Sequence, residues 1–186
     1  MPAEDVEIKA VFELEIIPSG EMHLYPGWNF ISVPKKLSAA YDTAAELFSG
    51  VNTSGKGILV YNASAKLWDQ VMSSTVIKPL NAYWIYSVEE KAITPEFDRG
   101  VHTPGTKTLY KGWNGVGLSA EEHTAASITF HGLNWRTYLS WNAAEQKYNS
   151  PILKGESGKY GDENPVFLWK GGWVYMEEGG TYLGYA

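Results

Sequence analysis

The chain has 186 residues, of which 44% are hydrophobic and 14% aromatic, so it is predicted to fold into one or two domains rather than stay disordered. Its net charge is −6 and it has no lysine- or arginine-rich run, which argues against a nucleic-acid partner. The chain has no cysteine, which excludes disulfides and thiol chemistry, and no apolar run long enough for a membrane helix, so we expect no membrane insertion by this segment.

The first predicted element is a strand within a leading segment at residues 1–21. Apolar and charged side chains alternate over residues 6–16, and a period of two is typical of a half-buried strand. This strand either pairs with the main sheet or ends an upstream domain. The next strand begins at the Gly-Trp-Asn sequence of residues 27–29, where glycine allows a tight turn and tryptophan is expected in the core.

The elements that follow are a short helix, a hairpin and a further strand. The helix covers residues 42–48, with Asp42 or Thr43 as its N-cap. The hairpin is predicted as a strand at residues 58–61, a turn at 62–65 and a second strand at 67–72. A further strand is predicted at residues 82–88.

Four sequence blocks occur twice in the same order, which indicates an internal duplication. The paired blocks are residues 24–29 and 109–114, 43–45 and 124–126, 61–63 and 141–143, and 84–90 and 173–178. We therefore define a first unit at residues 22–106 and a second unit at residues 107–186. The second unit carries extra residues between its third and fourth blocks, and the prediction leaves open whether the two units pack as one domain.

Taken together, these patterns predict an α+β fold. It is β-rich, with mainly antiparallel sheets and one or two short helices, and it contains the internal duplication. The second unit is predicted to have less helix than the first, because residues 124–130 are rich in β-branched side chains.

Two stretches come close to a phosphate-binding loop, and both fail. In residues 50–57, Gly57 stands where the motif needs Ser or Thr, and the loop follows a helix and precedes a strand, the reverse of the motif. The second stretch is residues 155–160. It has Tyr160 where the motif needs Ser or Thr, and Leu153, upstream of the stretch, lies where the motif needs its first glycine. We therefore expect no nucleotide and no other cofactor.

No residue pattern points to a metal or to catalysis. Asp162-Glu163-Asn164 offers calcium-ligating oxygens, but a solvated turn before Pro165 is the better interpretation. Nothing marks a carboxylate pair for glycoside hydrolysis among the 21 acidic residues. The histidines have no metal-ligand spacing; they are His23, His102, His123 and His131. We expect no metal, no catalytic residue and no enzymatic activity.

The aromatic side chains are the most informative feature. The repeated tryptophans are interpreted as core residues; they are Trp28, Trp84, Trp113 and Trp173. Other aromatic residues cluster in the second unit among asparagines and an arginine, a composition typical of a binding surface. The predicted ligand-binding residues are Trp135, Arg136, Tyr138, Trp141, Tyr148 and Tyr160.

The motifs resemble a known repeat module. Residues 27–34 and the Ala-Tyr-Trp-Ile-Tyr sequence of residues 82–86, with their counterparts at 112–114 and 172–176, are similar to the Gly-Trp-Asn…Gly-Tyr-Trp repeats of archaeal and bacterial secreted and cell-surface proteins. Ala82 departs from the family, which has glycine there. The resemblance implies extracellular or cell-surface display without enzymatic activity.

A second resemblance is to the variable proteins of diversity-generating retroelements. These proteins display changeable residues on a C-type-lectin fold near the C-terminus, and the Trp/Tyr/Asn cluster at residues 134–169 is similar in placement. This resemblance implies a variable ligand-binding surface on a C-type-lectin-like fold.

Three hypotheses follow, and the structure distinguishes them by where the aromatic rings lie. A recognition and adhesion module, binding a protein or glycan at a cell surface, requires an exposed aromatic patch on the second unit. A structural spacer of an envelope protein requires buried tryptophans. An enzyme, most simply a carbohydrate hydrolase, requires a cleft with paired carboxylates. We favour the first.

Overall fold

The structure, a computed structural model, describes residues 20–100 and 103–184. In this described part, strands make up 41% and helices 7%, which confirms the β-rich α+β class with antiparallel sheets and two short helices. The predicted strand at residues 6–16 lies outside the described residues.

The first unit consists of a strand pair, a four-stranded sheet and one helix. In chain order the elements are β1 (Met22–Leu24), β2 (Gly27–Ile31), α1 (Ala44–Leu47), β3 (Ile58–Asn62), β4 (Leu67–Val71), β5 (Tyr83–Ser87) and β6 (Lys91–Ile93). β1 pairs with β6, and the sheet has the order β2-β5-β3-β4, with every pairing antiparallel.

The second unit has the same elements and three short additional strands. In chain order they are β7 (Thr106–Leu109), β8 (Gly112–Gly117), β9 (Thr124–Ala125), α2 (Ala126–Thr129), β10 (Trp135–Asn142), β11 (Lys147–Tyr148), β12 (Ile152–Leu153), a 3-10 turn (Gly158–Tyr160), β13 (Pro165–Val166), β14 (Gly171–Met176) and β15 (Gly180–Leu183). The sheet order β8-β14-β10-β11 repeats β2-β5-β3-β4, and the pair β7–β15 repeats β1–β6. The duplicated sequence therefore folds into a duplicated strand topology.

Matching turns open the first sheet strand of each unit, as predicted. Gly27 and Gly112 have φ values of 105° and 100°, a region that glycine adopts without strain. The buried Asn29 then accepts a hydrogen bond from the Tyr25 N–H at 2.8 Å and donates to the carbonyls of Tyr25 and Gly27. Asn114 makes the same three hydrogen bonds in the second unit. This explains why the sequence repeats the asparagine and the glycine together.

The two helices begin for different reasons. Thr43 caps α1 in a capping box, as the sequence predicts. α2 forms in the stretch where its β-branched sequence predicts less helix, and no side chain caps it. Its first N–H groups are instead held by the extra loop of the second unit: Ala126 donates to the Asn164 carbonyl at 3.0 Å and Ser127 to the Asp162 carbonyl at 2.9 Å. Tertiary contacts therefore override local propensity here.

The units interlock through a reciprocal pair of residues. Leu80, just before β5, packs in the core of the second unit, and Trp169, just before β14, packs against the cores of both units. Both have left-handed backbone conformations, with φ of 65° and 66°. The Leu80 carbonyl accepts the Gly117 N–H and the Trp169 carbonyl accepts the Ser32 N–H, each at 3.1 Å. The two units therefore share side chains as well as backbone hydrogen bonds.

Candidate ligand-binding groove

The sheet of the first unit carries its aromatic rings on one face, except for Tyr83, which lies in the core. Successive side chains of a strand point to opposite faces, so Trp28 and Phe30 of β2 share a face, and so do Trp84 and Tyr86 of β5. The strand pairing places Trp28 opposite Tyr86 and Phe30 opposite Trp84. The other face, which carries the buried Ile85, belongs to the core of the unit.

The sheet of the second unit has an equivalent aromatic face. Trp113 of β8 lies opposite Tyr175 of β14, with ring centroids 5.2 Å apart. Trp141 of β10 lies opposite Tyr148 of β11, with centroids 5.0 Å apart. In the first unit, the same positions of β3 and β4 hold Tyr61 and Trp68 at 5.2 Å, a cross-strand pair with the same geometry.

One shared ring joins the two aromatic faces. Phe30 stacks on Trp84 with centroids 4.5 Å apart and an interplanar angle of 9°, and it also contacts Trp173 at 5.0 Å. The position equivalent to Phe30 in the second unit is Gly115. A Cβ there would lie 3.6 Å from both the Phe30 and Trp173 rings, so a larger side chain would have no room. The duplicated unit therefore has glycine where the first unit's phenylalanine fills the space.

Between these faces lie two adjoining depressions with matching walls. The first aromatic pocket, of about 600 Å³, is lined by Trp28, Leu59, Trp68, Trp84, Trp141, Gln146, Tyr148 and Trp173. The second aromatic pocket, of about 310 Å³, is lined by Tyr61, Trp113, Leu139, Tyr148 and Trp173. Five walls of the first pocket have equivalents in the second: Trp28 and Trp113, Leu59 and Leu139, Trp68 and Tyr148, Trp84 and Trp173, and Trp141 and Tyr61. We call the two pockets together the aromatic groove.

The aromatic groove is open to solvent and free of charge. Trp68 is 49% exposed, Tyr148 45% and Trp113 42%, so water reaches the rims of both pockets. Among the described residues that line the groove, none is charged, and the polar groups are the Gln146 amide, the hydroxyls of Tyr61 and Tyr148, and the indole N–H groups. Such a site offers aromatic faces and edges as contact surface, with little electrostatic selectivity.

Hydrogen bonds across the units fix the wall of the first pocket. The Trp141 indole Nε1 donates to the Trp28 carbonyl at 2.8 Å. Gln146 donates to the same carbonyl through Nε2 and accepts the Trp28 N–H through Oε1, each at 2.9 Å. Because these contacts hold the turn after β10 against the start of β2, the rings are positioned before any ligand arrives.

The six predicted binding residues separate into three groups. Trp141 and Tyr148 line the aromatic groove. Trp135 and Tyr138 are only 3% and 1% exposed and lie in the core of the second unit, so the prediction that they belong to an exposed surface is wrong. They share the core face although they are three residues apart, because the register of β10 against β14 shifts between Trp135 and Thr137, an irregularity of the β-bulge kind.

The two remaining candidates, Arg136 and Tyr160, are exposed but lie outside the groove lining. Arg136 pairs with Glu177 at 3.8 Å, and Tyr160 lies on the 3-10 turn. The candidates therefore do not form one face.

Sequence reasoning missed the repeated tryptophans as binding residues. Trp28 and Trp113 were expected in the core, yet Trp28 is half-buried and Trp113 is exposed. The signal was present in the period of two: the aromatic side chains of β5 and β14 alternate with Ile85 and Val174, which are fully buried. Since one face of each strand packs into the core of its unit, the aromatic side chains of the opposite face must lie outside that core.

The motifs set aside in the sequence are structural. Residues 50–57 connect α1 to β3, the order opposite to a phosphate-binding loop. The Asp162 and Glu163 carboxylates accept the N–H groups of Gly155 and Gly158 at 2.8 and 2.7 Å, which braces the extra loop. Over residues 20–100 and 103–184, no group of three or more histidine and acidic side chains is arranged to hold a metal ion.

Comparisons with known proteins return no relative. No family profile matches the chain, and no curated protein and no solved structure is significantly similar to it. The resemblance to the Gly-Trp-Asn…Gly-Tyr-Trp repeats therefore stays a prediction. Within the described part of the chain, neither helix has the length and apolar character needed to cross a bilayer.

Proposed function

We propose that the protein is a non-enzymatic recognition module that binds a neutral carbohydrate chain in the aromatic groove. The observation that carries this proposal is the pair of adjoining pockets with equivalent aromatic walls. Two similar pockets side by side suit a ligand whose chemical groups repeat, because neighbouring units of the ligand then meet similar surroundings.

The chemistry of the groove favours sugars over other ligands. The face of an aromatic ring is electron-rich, and it attracts C–H groups polarised by neighbouring oxygens, which the faces of sugar rings present. The uncharged lining suits a neutral ligand. Nucleic-acid bases also stack on aromatic rings, but a nucleic acid requires cationic groups along its backbone, and the described lining has none.

Exposure of the rings favours recognition over the spacer hypothesis. A spacer needs its tryptophans for packing, whereas here Trp68, Trp113 and Tyr148 lie half-exposed around one groove. Clustered apolar rings of this kind on a protein surface mark an interaction site.

The lining also favours recognition over hydrolysis at this site. Glycoside hydrolysis uses a pair of carboxyl groups beside the scissile bond, and no described residue of the groove lining is acidic. The resemblance to surface repeats supports extracellular or cell-surface display, where a glycan-binding module would meet its ligand.

Calorimetric titration with neutral hexasaccharides of glucose, mannose or N-acetylglucosamine tests the proposal. We expect at least one to bind, and Trp68→Ala and Tyr148→Ala each to weaken that binding by about tenfold or more, since exposed aromatic anchors dominate such contacts. Because both side chains are about half exposed, the variants should remain folded.

Tyr160→Ala is the matched control. Tyr160 is 43% exposed, like Tyr148, but lies away from the groove lining, so its removal should leave saccharide affinity unchanged. Equal losses in Tyr160→Ala and Tyr148→Ala would contradict the proposed site, and binding of none of the saccharides would contradict the ligand class.

A further inference from the structure

A second cavity lies between the units, apart from the aromatic groove. It has a volume of about 470 Å³ and is enclosed by residues 35–37 and 76–81 of the first unit together with the start of β7. Four lysines line it: Lys35, Lys36, Lys78 and Lys107. That concentration of positive charge is unexpected in a chain whose net charge is −6.

Within the described part of the chain, the acidic residues around the cavity are fewer than its lysines. Lys36 pairs with Asp98 at 2.9 Å. Lys35 lies 3.8 Å from Glu121, a residue that does not line the cavity. The other lining carboxylate is Asp42. Across the described ranges, Lys78 and Lys107 lie in no ion pair with an acidic residue. Among the described residues that line it, the cavity therefore has four lysines and two carboxylates.

Lys107 is the most deeply placed of the unpaired cations. Its ammonium group donates a hydrogen bond to the Asn81 side-chain oxygen, a neutral partner from the other unit. Burial lowers the pKa of Lys107 to about 8. An ammonium has three donor hydrogens, so an amide oxygen alone leaves capacity for a further acceptor.

We propose that this lysine cavity binds a small ligand through a carboxylate or phosphate group, held by Lys107 and Lys78. An oxyanion would supply an acceptor and a negative charge for Lys78 and Lys107, which have no acidic partner among the described residues, and charge-assisted hydrogen bonds are the strong ones. Since the cavity is formed by both units, an occupant would contact the first unit's 76–81 segment and the second unit's β7 together. This inference is independent of the saccharide proposal.

The binding should depend on pH through Lys107. As the pH rises through about 8, its ammonium loses its proton and the affinity for an anion falls. Among the described residues, the charged groups that line the cavity with Lys107 are Lys35, Lys36, Lys78, Asp42 and Asp98, and Glu121 lies 3.8 Å from Lys35. β15, which pairs with β7, contributes no charged residue over Gly180–Leu183; its Tyr182 lies opposite Lys107, and burial raises the pKa of Tyr182 so that it stays neutral over this pH range.

Calorimetric titration of the full chain with citrate and with inorganic phosphate tests this proposal. We expect saturable binding with one site, weakened by about tenfold or more in Lys107→Met, which keeps the aliphatic stem and removes the charge. The decline in affinity between pH 7 and 9 should be absent in Lys107→Met. Lys78→Met, at an exposed position, should weaken binding without affecting the fold, and so tests the cavity even if Lys107→Met does not fold.

Lys111→Met is the control for net charge, because Lys111 is exposed and does not line the cavity. The proposal is overturned if neither anion shows saturable binding, or if Lys111→Met weakens binding as much as Lys78→Met. Citrate binding without phosphate binding would identify a carboxylate ligand, and the reverse a phosphate.

Discussion

Tyr138 and Tyr182 are two buried tyrosines of the same core with different hydroxyl surroundings. Tyr182 donates to the Gly117 carbonyl at 3.1 Å. The Tyr138 hydroxyl has no hydrogen-bond partner among residues 20–100 and 103–184, and its ring lies against Gly172, where a Cβ would overlap it. Burial raises the pKa of both tyrosines well above the ordinary value, so both stay protonated.

Removing the two hydroxyls should therefore have opposite effects. Tyr138→Phe should raise the free energy of unfolding by about 1 kcal/mol, because a buried hydroxyl without a partner costs stability. Tyr182→Phe should lower it by about 1 kcal/mol, since it removes the buried hydrogen bond to the Gly117 carbonyl. Urea denaturation followed by tryptophan fluorescence measures both, and destabilisation of equal size in the two variants would show that Tyr138 has a partner.

At this scale, residue type alone did not separate core from groove. Tyr138 and Trp141 come from the same strand and from the same aromatic-rich stretch, yet one is fully buried and the other lines the groove. Position along β10 decides this. Tyr148 could be predicted as exposed because it follows the hairpin turn. The half-exposure of Trp113 could not, because it depends on how the sheet of the first unit packs beside that of the second.

At the scale of elements, the segments before β5 and β14 hold the units together. Each has a non-glycine residue in the left-handed conformation, Leu80 or Trp169, whose carbonyl accepts an N–H from the other unit, at the end of β8 or directly after β2. A strained backbone conformation of this kind persists only where its surroundings fix it. Here the reciprocal hydrogen bonds and the burial of Leu80 in the second core provide that constraint.

Leu80→Ala should therefore destabilise both units at once. Loss of a fully buried leucine costs about 2–5 kcal/mol, and the cavity would open at the junction of the two units. We expect a single urea transition at a lower midpoint. Leu183→Ala is the matched control, because Leu183 is 65% exposed, and a Leu80→Ala midpoint no lower than that of the control would contradict the interlocked arrangement.

Local sequence predicted the elements best where the cause is local. Thr43 begins α1 through its own side chain, so the cap could be predicted from residues 42–48. α2 could not, because its first N–H groups bond to carbonyls of the extra loop, contributed by Asp162 and Asn164. The hairpin of β3 and β4 was predictable for the same reason as α1, since its turn residues and alternation lie within one short stretch.

At the scale of the whole molecule, duplication produced both the fold and the groove. The repeated blocks predicted two units of equal topology, which the strand orders bear out. The way the units face each other was beyond the sequence, because it depends on contacts such as Phe30 with Trp173 between residues far apart in the chain. Those contacts place the two aromatic faces side by side. The aromatic groove lies between the faces, and its lining comes from both units.

The indole N–H signals of the eight tryptophans test the aromatic groove most directly, in a ¹⁵N–¹H spectrum recorded during titration with the bound hexasaccharide. Six tryptophans line the groove, and we expect their signals to shift; they are Trp28, Trp68, Trp84, Trp113, Trp141 and Trp173. Trp135, in the second core, and Trp169, packed against both cores, should not shift. Saturable binding that leaves the six signals unchanged would contradict a ligand site in the groove.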